Sequence, residues 1–286
     1  MSSTKDIRRR IKSIKSTRQI TGAMELVAAA KMRKAQQQAL ATRTYAKLAW
    51  ELIQNLSEQT DPRIHKLLRQ SPRAKKAVIV LITSNRGLIG GFNNAIIATA
   101  LALTKEFPEL EFICLGKKGR EAVRKRGLTV VAEFEKLDAV ADVLEIRPLA
   151  SLASQDFVSG KYDVVSMVYM DFVSTLKQVP HVARLLPLVG EPDQTLDADG
   201  TEYLFEPSPD EVLETLLPRL VQMQIYQALL ETNAAEHSAR MVAMKNASDA
   251  ATDLIDDLTL EYNQIRQAGI TKEISEIAAG RLALNR

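Results

Sequence analysis

The chain has 286 residues, of which 46% are hydrophobic and 26% charged, with a formal net charge of +3. That composition suits an intracellular soluble protein with one sizeable core and an extended part. No run of 18 apolar residues occurs and the N-terminus lacks a signal-peptide stretch, so any membrane attachment is expected to be indirect. Cys114 is the only cysteine, which excludes an intrachain disulfide and a cysteine metal cluster; its neighbours Phe112, Ile113 and Leu115 point to a buried strand.

The chain opens with a long helix. From about Ser3 to Leu56 there is no proline and a single glycine, Gly22. Ile7, Ile11 and Ile14 begin a stripe that Ala28, Met32, Ala35 and Ala39 continue with small side chains, a pattern that favours close approach of a second helix. The middle of the chain changes period. Ala77 to Thr83 (AVIVLIT) is a buried-strand run, Ser84 to Gly91 a turn-rich loop, and Asn93 to about Lys105 a helix. Strands are expected at Phe112 to Leu115, Leu128 to Ala132 and Val164 to Met170, with an edge strand in Leu176 to Leu188 that tolerates Pro180. Helices are expected at Lys117 to Lys125, Ala139 to Glu145 and Pro148 to Val158. Strands alternating with helices indicate a largely parallel, doubly wound, Rossmann-like sheet. Gly190 to Ser208 reads as a polar loop with one strand at Tyr203 to Phe205.

A second long helix follows from Pro209 to about Asn285, interrupted only by Pro218. At 1.5 Å per residue it measures roughly 110 Å, too long to be buried wholly in its own chain. Ala247, Ala251, Leu254, Leu258, Tyr262 and Ile265 draw a narrow seam. The two long helices are natural antiparallel partners, so the expected division is a shaft helix in 1–70, an α/β domain in 71–208 and a shaft helix in 209–286. Charge supports the pairing. Residues 1–50 carry twelve basic side chains against Asp6 and Glu25, a net of +10. The acidic span Asp249, Asp253, Asp256, Asp257 and Glu261 is expected beside Lys31 to Lys47, leaving a basic patch of Arg8, Arg9, Arg10, Lys12, Lys15 and Arg18 unpaired.

No catalytic constellation is visible. The loop Ser84 to Asn93 (SNRGLIGGFN) follows a strand and precedes a helix, as phosphate-binding loops do. Its glycines are spaced G-x-x-G-G, however, and the P-loop lysine is absent, so it reads as a structural turn. His65, His181 and His237 lack metal-site spacing. No cofactor or metal is expected. The residues alone leave two further readings open: a basic coiled coil that binds nucleic acid through Arg8 to Arg18, and a nucleotide-dependent α/β enzyme using Gly87 to Gly91.

Four stretches narrow the choice. Ile7 to Met32 (IRRRIKSIKSTRQITGAMELVAAAKM), Ile82 to Asn93 (ITSNRGLIGGFN), Glu231 to Ala247 (ETNAAEHSARMVAMKNA) and Tyr262 to Ile277 (YNQIRQAGITKEISEI) resemble, in order, the gamma subunit of F-type ATP synthases. Three departures from the family pattern are visible: Gly22 where a lysine is common, Ile89 where the loop often has cysteine, and the tail Arg281 to Arg286. The resemblance implies a non-catalytic rotor shaft, one copy per complex, inside a ring of three alpha and three beta subunits. Its α/β foot would contact the epsilon subunit and the membrane ring of c subunits. By motif position, Met24, Arg240, Arg266, Gln267, Thr271 and Glu273 resemble the coupling contacts with beta, with Met24 expected near the segment Arg266 to Glu273. The family also implies a peripheral place on the cytoplasmic face of a bacterial inner membrane, or on the corresponding face in an organelle. No nucleic-acid partner and no direct membrane insertion are implied.

Overall fold

The computed structural model describes residues 4–59, 65–71, 74–138, 142–188 and 209–284, with side chains described except at 43–59, 209–210 and 280–284. The chain forms two compact units: Met1–Ala28 with Met241–Arg286, and Ala29–Arg240. Two long helices run through both: α1, Thr4–Gln59, and the C-terminal helix, Pro209–Leu284. Within each unit a stretch of α1 packs against a stretch of the C-terminal helix, and the second unit also holds the α/β domain.

That domain is built on β1 (Lys76–Ile82), α2 (Phe92–Ala102), β2 (Glu109–Leu115), α3 (Lys117–Lys125), β3 (Val130–Phe134), α4 (Arg147–Val158), β4 (Val164–Phe172) and β5 (Gln178–Leu186). The C-terminal helix is accordingly α5. The strands lie in the order β3-β2-β1-β4-β5. All pairings are parallel except β4 with β5, where Pro180 faces Met170 on the sheet's edge. Every residue of β1 after Lys76 is buried, because its two faces feed two cores. Val78, Val80 and Ile82 pack with α4 and with Leu213 to Leu230 of α5, whereas Ile79 and Leu81 pack with Ile96, Ala100 and Val123 of α2 and α3. The alternation follows from the two-residue period of a strand. Cys114 is fully buried in the second core, and burial pushes its thiol up to about 12.

Several boundaries differ from expectation. β3 begins at Val130 rather than Leu128 and runs on to Phe134, because α3 ends in a glycine-capped turn: Gly127 takes φ +71 and Leu128 N–H reaches back to Val123 O. The helix after Phe92 tightens into a 3-10 turn at Leu103–Lys105, and Val143–Ile146 is a 3-10 turn capped by Asp142 rather than the end of an α-helix. The expected loop at 190–208, its strand at 203–205 and the tail's side chains lie outside the described residues.

In the unit formed by the chain ends, Ile7, Thr21 and Ala28 are buried on α1, and Met244, Ala251 and Ile255 on α5. Leu254, expected in the seam, is 51% exposed, and Ile255 takes its place. The seam runs 244, 248, 251, 255, 258, 262 and 265, alternating steps of four and three, which is a strict heptad. Ser248 occupies one seam position because Thr21 meets it across the pair at 2.7 Å. The second unit has the same construction: Met32, Ala35 and Ala39 are buried, and Thr42 Oγ1 donates to Gln227 Oε1 at 2.6 Å.

Candidate functional site

The hydrogen bond between Thr21 and Ser248 sets the register of the chain-end pair. In an antiparallel pair, Met24 then lies opposite the neighbourhood of Lys245, about twenty residues, or roughly 30 Å, from Arg266. Met24 and the segment Arg266 to Glu273 therefore do not share one height, contrary to expectation. The same register sets Asp249 to Glu261 alongside Ile20 back to Arg8, so the acidic span lies next to the basic patch and not next to Lys31 to Lys47. Arg8, Arg9, Arg10, Lys12, Lys15 and Arg18 are all exposed on α1.

Arg266, Gln267, Thr271 and Glu273 belong to a different environment. Every residue from 266 to 279 is exposed, since this register carries α5 past Thr4 of α1. The exposed stretch bears Ile270, Ile274 and Ile277 on one stripe, 49%, 62% and 72% exposed, at helical steps of four and three. Thr271 Oγ1 donates back to Gln267 O at 2.9 Å, while Arg266 and Glu273 stand in solvent. An apolar stripe on an uncovered helix flanked by charged and amide side chains is a surface built to meet another protein.

Arg240 belongs to the second unit. Its guanidinium donates to Glu236 Oε1 at 2.8 Å, and Glu236 is bound on its other oxygen by Lys136 Nζ at 2.6 Å. The Lys136 and Glu236 side chains are only 2% and 3% exposed. Burial by itself pushes the Glu236 carboxyl up, but Lys136 and then Arg240 outweigh it and hold the group below the ordinary glutamate value. The pKa of His237 is lowered as well: burial outweighs the pull of Glu236 and favours the neutral ring. Lys31 pairs with Asp138 at 3.0 Å nearby. Sequence reasoning missed Lys136, Glu236 and His237. The signal available was the cluster of polar residues Glu231, Thr232, Asn233, Glu236 and His237 in a helix that is buried on every side from 225 to 238.

The glycine-rich loop is closed on itself. Asn93 Oδ1 accepts from Ser84 N at 3.1 Å, and Ser84 Oγ donates to Arg86 O at 2.6 Å. At the start of α2, which the loop feeds, Phe92 N–H is taken by Ile89 O at 3.4 Å, and the first three amides of the neighbouring α3 are taken by Asn85 Oδ1, Ser84 O and Thr83 Oγ1. Asn85 also donates to Lys136 O at 2.7 Å, which ties the loop to the buried ion pair.

A match to the ATP synthase family runs over residues 3–284. The chain is 45% identical over 285 residues to the ATP synthase gamma chain of Pelotomaculum thermopropionicum, covering 99% of this chain and all of that one. It belongs to the ATP synthase gamma chain family. The gamma chain of Roseiflexus castenholzii is 44% identical over 99% of both chains. Among solved structures, the fold resembles a chain of the Euglena gracilis mitochondrial ATP synthase OSCP/F1/c-ring, with a TM-score of 0.67 at 20% identity over 98% of this chain and 94% of that one. It also resembles a chain of the Tetrahymena thermophila central stalk and c-ring, with a TM-score of 0.62 at 23% identity, over 80% and 99%. The family match over residues 3–284 spans helices and sheet alike. No described helix is long and apolar enough to cross a membrane.

Proposed function

We propose that this chain is the central rotor shaft of the F1 sector of a proton-translocating ATP synthase. In this reading the coiled coil turns inside a ring of three alpha and three beta subunits. The α/β domain is the foot, joined to the epsilon subunit and to the c-ring, through which attachment to the membrane is indirect. The place is the cytoplasmic face of a bacterial inner membrane, with one copy per complex. The observation that carries the reading is the exposed stretch of α5 at residues 266–279, whose apolar stripe and polar flanks suit a surrounding protein. Proton flow turns ring and shaft together, and the shaft presents different contact energies to each beta conformation, so its angle biases which nucleotide state each beta subunit adopts. Catalytic residues belong to the beta subunits. Met24, Arg266, Gln267, Thr271 and Glu273 are proposed contacts with beta; Arg240 can take part only with what its bond to Glu236 leaves free.

The test is reconstitution. A tagged chain mixed with alpha and beta subunits should co-purify as one copy per three-to-three ring and drive ATP-dependent rotation of a bead attached to the foot. A ring that forms and hydrolyses ATP without retaining the chain would overturn the rotor reading.

A further inference from the structure

We infer that residues 227–238 of α5 form the joint through which torque passes between the α/β domain and the shaft, with Lys136 and Glu236 as its principal positioning pair; the inference rests on the rotor reading. A helix lying in an apolar groove is held strongly against leaving it but weakly against turning about its own axis, because apolar contact is non-directional. Hydrogen bonds and ion pairs are directional, so resistance to axial slip must come from polar groups.

Among the described residues, α5 carries such groups pointing in several directions at 227–238, where it is enclosed. Gln227 Nε2 donates to Ala39 O of α1 at 3.3 Å. Ser238 Oγ donates to Thr175 O, between β4 and β5, at 2.6 Å. At about 100° per residue these two leave the helix on one side. Glu236 leaves from the opposite side to meet Lys136 at 2.6 Å. Thr232 and Asn233 flank it: Thr232 Oγ1 accepts from Met170 N of β4 at 3.4 Å, and Asn233 Nδ2 donates to Leu137 O at 3.4 Å. Three walls are thus bonded to one helix from several directions within about three turns. Only the link through Glu236 is a buried ion pair, the strongest directional contact of the set.

Lys136 is itself mounted rigidly. Its carbonyl is held by Asn85, whose other amide atom receives the first amide of α3. The loop that resembles a phosphate cradle therefore has a mechanical task, fixing the lysine to the sheet. An ion pair stands where apolar side chains of similar size would fill the same space, which fits a demand for direction rather than for stability.

The experiment uses the complete synthase in proteoliposomes with two variants, E236Q and the double variant K136M/E236M, which fills the space without charge. Hydrolysis with the membrane made leaky should stay within about twofold of the parent, whereas ATP-driven proton pumping against an imposed pH gradient should fall about fivefold, so the ratio of pumping to hydrolysis drops as the opposing gradient grows. K136R, which keeps a directional pair with Glu236, should hold the parent's ratio. An unchanged ratio at the steepest gradient, in whichever variant assembles, overturns the joint. Failure of both variants to assemble also overturns it, since the pair would then serve folding alone. A parent chain that does not enter the ring would instead sink the rotor reading.

Discussion

The carbonyl oxygen of Thr83 stands 2.2 Å from the point where a β-carbon on Gly116 would lie, and Gly116 holds φ +107. The end of β1 and the start of α3 are pressed together there, and Gly119 N–H is bonded to Thr83 Oγ1 at 2.8 Å. Gly116→Ala should therefore cost about 3 kcal/mol or more, combining backbone strain with a clash against backbone. Urea unfolding of the purified chain measures it. A loss below about 1 kcal/mol would show that the strand end can move aside.

Gly22 is the opposite case. A β-carbon there would meet nothing within 4 Å, and the residue lies in the middle of α1. Gly22→Ala should stabilise α1 by about 1 kcal/mol without harming assembly. If circular dichroism shows the gain but the variant no longer assembles with alpha and beta, glycine at this position serves close approach of a partner.

The double substitution Gln267→Ala with Glu273→Ala alters only exposed side chains of α5. Folding and assembled yield should match the parent, while ATP hydrolysis by the complex falls about tenfold, the scale of one or two charge-assisted hydrogen bonds, with pumping falling at least as far. Val80→Ala is the control: it empties a fully buried position of β1. It should cost about 1 kcal/mol or more of stability and lower yield, with turnover per assembled complex unchanged. Normal coupled turnover in the double variant removes Gln267 and Glu273 from the contact with beta.

Acid should loosen the enclosed part of α5. His237, facing Glu236, Lys136, Arg240 and the Asp138 backbone, has a pKa depressed below 6.5. Its unfolded form takes up a proton first, so its contribution is complete above 6.5 and is lost as pH falls from there toward the folded value. Glu236 acts in the same direction at lower pH, below 4.5, because its folded pKa is also depressed. Thermal midpoints recorded through this range should fall on acidification, and His237→Gln should flatten the upper part of the slope. A midpoint that rises between neutrality and the ordinary histidine value would contradict the burial of a neutral ring.

Much of the fold was legible because its signals are local. A continuous β-branched run marks β1, and long stretches free of proline mark α1 and α5. What failed was register. Leu254 and Ile255 both continue a helical stripe by allowed steps, and only the partner decides between them; the meeting of Thr21 with Ser248 selects Ile255. The displacement of Met24 from Arg266 has the same origin. The ion pair of Lys136 and Glu236 joins residues 100 positions apart, one of them in a segment that reads as an ordinary loop. Nothing local distinguishes such a lysine from a solvated one.

The coiled coil also fixes an order of events during synthesis. Thr21 and its partner Ser248 are 227 residues apart, so at 5–20 residues per second α1 waits on the order of ten to fifty seconds for the helix that covers it. Throughout that interval the seam of Ile7, Ile11, Ile14 and Ala28 is open to other nascent chains. The net charge of +10 on residues 1–50 repels identical copies emerging from neighbouring ribosomes. The basic excess of the first helix thus protects it from its own kind before any partner has been made.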